Sequence, residues 1–178
     1  MNYRIFVEKK EDFRVEAQNL FSDLKENIGI DGLTSVRVLN IYDIFNLGEN
    51  DLEKLEKTVF SEINVDNVFK SFDEVFKEKD SENVYFSVEF LPGQYDQRAD
   101  SAIQCVNLLI DEDNDINVKS GKLIILYGKI SPNELARIKK YYINEVEARE
   151  KDLNVLSENV ESENKEDVVV YDGFTEKT

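Results

Sequence analysis

The sequence predicts an α+β fold built from two similar β-α-β-α(-β) units, and three observations carry that prediction. Short apolar runs with period-two alternation recur along the chain, each followed by a segment with helical apolar spacing and a start signal. The order of these segments in residues 3–76 is repeated in residues 84–150. A unit of roughly 75 residues is also marginal alone, so two units are expected to bury their apolar faces against each other. The expected assembly is an intramolecular pseudodimer with mainly antiparallel sheets and helices on one side.

"YRIFVE" (3–8) reads as the first strand. Asp12 is expected to cap a helix reaching about Ile28, with Val15, Leu20, Phe21 and Leu24 near one face. "GIDG" (29–32) ends it, because two glycines in four residues suit a turn. "SVRVLNIYDIFNLG" (35–48) alternates as a long or bent strand. Asn50 or Asp51 is placed to cap a second helix, with Leu52, Leu55 and Val59 at helical spacing, and "VDNVFKSF" is a short third strand. A charged loop, "KEKDSEN" (77–83), separates the halves. In the second half "VYFSVEF" (84–90) is a strand, and 98–110 is a helix expected to bury Ala102, Cys105, Val106 and Leu109. "KLIILYGKI" (122–130) is a strand. A helix follows over 131–144, with Ser131 as cap and Pro132 at its first position, where the missing N–H costs nothing.

Four matches between the halves fall in order: Val7-Glu8 with Val88-Glu89, Asn19-Leu20 with Asn107-Leu108, Tyr42 with Tyr127, and Ile63-Asn64 with Ile143-Asn144. Their steps are 81, 88, 85 and 80 residues, which supports a duplicated unit. The rise from 81 to 88 places a surplus of seven residues between strand and helix in the second copy, and "LPGQYDQ" (91–97) is the expected surplus. Loops added to a scaffold are where binding tends to sit. The expected organisation is a first unit over 1–76, a connecting loop over 77–83, a second unit over 84–150, and an acidic linker or arm over 151–178. That arm carries eight acidic and three basic residues and leads toward further domains.

Composition narrows the function classes. The formal net charge is −16, from 38 acidic and 22 basic side chains, opposite in sign to a phosphate-binding surface. A solvated acidic surface explains that charge better than mimicry of nucleic acid. The absence of histidine removes histidine bases and ligands, and the single cysteine precludes an internal disulfide, in keeping with a reducing cytoplasm. No apolar stretch approaches the ~20 residues of a membrane span, so neither membrane nor nucleic acid is an expected partner.

Chemical motifs are mostly incomplete. "DEDNDINVKSGK" (111–122) spaces Asp111, Asp113 and Asp115 like a calcium loop, yet has Ile116 where glycine is needed and Lys122 where the bidentate glutamate belongs. It reads as a solvated turn, and no metal site is expected. "SGKL" (120–123) lacks the rest of a phosphate loop and also reads as a turn. Cys105 shares an apolar helical face and reads as a core thiol. No catalytic or cofactor-binding residue is therefore expected. What remains is the loop: Pro92 and Gly93 suit a rigid turn, Asp96 suits a helix cap or a contact with Arg98, and Gln94, Tyr95 and Gln97 suit a polar contact surface.

"LPGQYDQRADSAIQC" (91–105), with "KTVFSEINVDNVF" and "KKYYINEVEARE", resembles the N-terminal region of phosphoribosylformylglycinamidine synthase, in its large single-chain clostridial type. The resemblance covers roughly residues 3–150, and "DGFTE" (172–176) resembles the start of the following linker. It implies a region similar to a dimer of the small PurS subunit fused into one chain, matching the internal repeat. The family is an ATP-dependent carbon–nitrogen ligase of purine biosynthesis. It converts formylglycinamide ribonucleotide to formylglycinamidine ribonucleotide with glutamine as amide donor. ATP and magnesium would be held by a synthetase domain outside this chain, and glutamine would be hydrolysed in a glutaminase domain also outside it. The fragment alone would bind no cofactor and be inactive. Its implied partners are those two domains of the same polypeptide, and the implied contact loop comprises Pro92, Gly93, Gln94, Asp96, Gln97 and Arg98. A free-standing ligand-sensing or protein-interaction module is the alternative, distinguished by a concave pocket between the units.

Overall fold

The computed structural model describes residues 1–77, 82–110 and 115–158. Within them lie strands β1 (Tyr3–Lys9), β2 (Leu33–Phe45), β3 (Asp66–Phe69), β4 (Asn83–Phe90), β5 (Asn117–Gly128) and β6 (Ala148–Glu150). All join one antiparallel sheet of order β3-β1-β2-β5-β4-β6. The helices are α1 (Val15–Asp23), α2 (Leu52–Leu55), α3 (Phe72–Phe76), α4 (Gln97–Leu109) and α5 (Pro132–Tyr142). Helices α1 and α2 run on into π-type turns at Leu24–Ile28 and Glu56–Phe60. The fold is α+β, as the sequence predicts.

The pairing has a regular internal register. Val7 faces Asn40 and Val68, Val88 faces Lys122 and Glu150, and Asn40 faces Lys122 across the central strand pair. Steps of 81, 82 and 82 residues thus carry Val7 to Val88, Asn40 to Lys122 and Val68 to Glu150. The same step of 82 relates the buried residues of α1 to those of α4: Ala17 to Ala99, Leu20 to Ala102. With the adjoining turn, it also relates Leu24 to Val106.

Directly opposed residues share a face, which sorts the core into layers. On one face Ile5, Val7, Tyr42, Ile44 and Val118 pack under α2, its extension and α4. Phe86, Val88, Ile124 and Leu126 continue that face under α1 and α5. Four helices therefore lie on one side. The opposite face, with Phe6, Leu39, Ile41, Leu123 and Ile125, is covered by α3 and by Leu153. The short α3 departs from the one-sided expectation, because both faces of the long β2 and β5 are apolar at mid-strand and each needs a cover.

That second face also carries buried charge. Arg37, 6% exposed, makes paired bonds to Glu8 at 2.9 and 2.6 Å and donates to the carbonyl of Val75 in α3 at 2.8 Å. Asp43 bridges Arg4 and Lys151, and Lys151 reaches Glu89. Residues 151–158, the start of the stretch expected as an arm, are bonded along this face. Arg4 donates to the carbonyls of Leu153 and Val155, Ser87 to that of Lys151, and Lys119 to that of Glu158.

Several local expectations are corrected. Asp12 lies inside a 3-10 turn (Glu11–Phe13), so Arg14 holds the cap position of α1 and no side chain caps it. Val15 is exposed, and Ala17 takes the buried place in the first turn. "SGKL" is the middle of β5 rather than a turn. The sequence assigns no range to the optional last strand of the second β-α-β-α(-β) unit, and β6 takes that place. Gly29, at φ +76°, ends the first helix in the left-handed conformation as "GIDG" suggested. Ser131 and Glu134 form a reciprocal capping box on α5. Residues 78–81 of the charged loop and Asp111 and Asp113 of the calcium-like run lie outside the described residues. No helix among the described residues is long and apolar enough to cross a membrane.

Candidate functional site

Strand β4 ends where Leu91 donates its N–H to the carbonyl of Glu147 at 2.9 Å. Gln94 then donates back to the carbonyl of Leu91 at 3.0 Å, closing a four-residue turn. Pro92 occupies its second position. Gly93 occupies its third at φ +86°, a backbone conformation that only glycine adopts at little cost. The tip is shaped by sequence and not by packing, since a Cβ on Gly93 would meet nothing within 4 Å.

Asp96 fixes the far end of the loop. Its Oδ1 accepts the N–H of Ala99 at 3.0 Å, capping α4, and the hydroxyl of Ser120 at 2.7 Å; its Oδ2 accepts the Ser120 N–H at 2.8 Å. Asp96 is thus spent on structure, tying helix to central strand. Pro92, Gly93, Gln94, Tyr95, Gln97 and Arg98 are exposed. The Tyr95 hydroxyl donates to Asp100, and that bond raises its pKa above the usual phenol range. Of the six residues expected to form the loop surface, Pro92, Gly93 and Gln94 make the turn, Gln97 and Arg98 lie in the first turn of α4, and Asp96 anchors the stretch between them.

The seven-residue surplus does not exist. Connections 10–14 and 91–96 differ by one residue, in line with the step of 82 that relates α1 to α4. The Asn19-Leu20 match misled, because Leu20 is 7% exposed and Leu108 is 85% exposed. Tyr42 and Tyr127 are not equivalent either, as they pack on opposite faces of the sheet. The loop replaces a short helical turn of the first half and is not an addition to the fold.

Beside the loop lies what the sequence did not show. A cavity of about 820 Å³ separates α4 from the end of α5, with Val88, Ser120, Gly121 and Lys122 among its floor residues. A second, of about 420 Å³, lies between the start of α1 and the extension of α2. Tyr42, Val59 and Arg98 line both. The larger cavity has a residue cause, since α4 presents Ala102 where α1 presents Leu20. Cys105 faces this space as an exposed thiol, which corrects its assignment to the core. Tyr142 closes one side, its pKa pushed well above the usual range by burial. Among the described residues no three Cys, Asp or Glu side chains converge as metal ligands.

Comparison with protein-family models, with curated proteins and with solved structures gave no match to this chain.

Proposed function

We propose that this chain is the N-terminal scaffold region of a phosphoribosylformylglycinamidine synthase, a cytoplasmic glutamine-dependent ligase. Its two halves would be a fused, duplicated PurS-like pair. The observation that carries this reading is the position of "LPGQYDQRADSA": in the stretch most like the family, residues 91–96 form a surface turn anchored at both ends by hydrogen bonds, and the remainder opens helix α4. Such a turn presents side chains at low ordering cost, which suits a docking contact. The common register of the two halves supports the fused pair. In this role the fragment holds synthetase and glutaminase domains in place, and those domains supply ATP, magnesium and the ammonia-producing chemistry.

The test combines this chain with the remainder of such an enzyme and measures glutamine-dependent amidine formation. Activity should require both parts and fall with Gln94→Ala and Arg98→Ala. Turnover by this chain alone, or full reconstituted activity in both variants, contradicts the reading. A second reading, a ligand-binding module, is favoured by one observation: a concavity of about 820 Å³ is within the size range of small-molecule sites.

A further inference from the structure

The two halves differ at one pair of positions where their register makes them equivalent. In one, Glu16 of α1 forms an ion pair with Lys122 on the sheet floor. The step of 82 carries Glu16 to Arg98 and relates Asn40 to Lys122. The equivalent position therefore holds a cation and an amide, with no anion to complete it.

Both groups are short of partners. Among the described residues the Arg98 guanidinium makes one hydrogen bond, to the Tyr42 hydroxyl at 3.3 Å, and has no carboxylate within ion-pair distance. The other basic side chains on the same cavities are taken: Lys122 by Glu16, Lys9 by Asp66 and Arg14 by Glu8. In a chain of net charge −16, an arginine without a carboxylate is conspicuous. Asn40 has its Oδ1 buried and without a hydrogen-bond partner. An orphaned buried acceptor is destabilising, and a ligand donor would relieve that cost. Arg98 and Asn40 line the same cavity of about 420 Å³, and Arg98 also borders the larger one.

We propose that Arg98 and Asn40 form a binding site for a small carboxylate that carries a neighbouring N–H or O–H donor, an α-amino or α-hydroxy acid. The carboxylate takes the fork of Arg98, and the adjacent donor satisfies Asn40 Oδ1. Tyr42 supplies a further polar contact, and Val59 forms an apolar wall. The site needs only this chain and stands apart from the scaffold role.

The test is calorimetric titration of the full chain at constant ionic strength with serine, lactate and propionate. Serine or lactate should bind saturably and at least tenfold more tightly than propionate. Arg98→Gln should abolish binding of all three. Asn40→Leu should reduce the preferred acid to the level of propionate, with circular dichroism verifying that each variant is folded. Asn40→Asp provides the missing anion from within and should abolish binding while raising Tm. Absence of saturable binding up to about ten millimolar, unchanged binding in Arg98→Gln, or equal affinity for propionate overturns the proposal.

Discussion

Arg37→Met tests whether the buried charge under the sheet holds the fold together. Burial by itself would lower the Arg37 pKa, but the bonds to Glu8 and Tyr127 outweigh it, so the guanidinium is firmly charged. Its loss strands Glu8, 1% exposed, with Arg14 at 3.5 Å as its remaining ion-pair partner. It also frees the Val75 carbonyl that ties α3 to the sheet. Breaking a buried pair by removing one partner costs about 3–5 kcal/mol. For a chain of this length that is a fall in Tm of roughly 10 °C. Urea unfolding followed by circular dichroism should show a lower midpoint at unchanged slope. The double variant Glu8→Leu with Arg37→Met should recover more than half of the loss, because an apolar replacement leaves no charge stranded. A loss under about 1 kcal/mol in the single variant, or a double variant worse than the single, refutes the reasoning.

Asp96→Ala removes a helix cap and both bonds to Ser120, and should lower unfolding free energy by about 2–3 kcal/mol. Gln94→Ala, on the exposed turn, should stay within about 0.5 kcal/mol of the parent in the same denaturation assay. Gly128→Ala should be severely destabilising in thermal melts, since its Cβ would lie 2.1 Å from the Gly32 carbonyl oxygen at φ +115°. Gly93→Ala, with open space around it, should cost only about 1–2 kcal/mol. The backbone N–H of Ser131 holds the Glu134 carboxyl below the usual range. Because the folded-state pKa is the lower one, the unfolded chain binds more protons there. The capping contribution is therefore full above about pH 4.3 and lost as pH falls through the folded value. Glu134→Gln should flatten the dependence of Tm on pH in that acidic window.

The main elements were legible because their signals are local. Alternation marked β1, β2 and β4, and Ser131-Pro132 marked the start of α5. The errors arose where the deciding partner is distant. Strand β6 has no apolar pattern and exists because the edge of β4 at Val88 to Phe90 accepts it. Cys105 and Leu109 share a helical face in projection. Yet α4 buries Ala99, Ala102 and Val106, a stripe rotated toward the sheet that spacing alone does not select. The loop was visible through its Pro-Gly turn, whereas the cavity beside it depends on which helices pair across the sheet. The Arg98–Asn40 asymmetry emerges only once the true register replaces the dipeptide matches.

The central β2–β5 seam has a mechanical corollary. It runs from Leu33 opposite Gly128 to Phe45 opposite Asn117, and joins strands belonging to different halves. Cutting the polypeptide between Lys77 and Glu82 would leave intact every ladder that the described residues form. Two nicked pieces should stay zipped through native purification and part only under denaturant. Once parted, each would bare a long unsatisfied edge with strong affinity for its former mate.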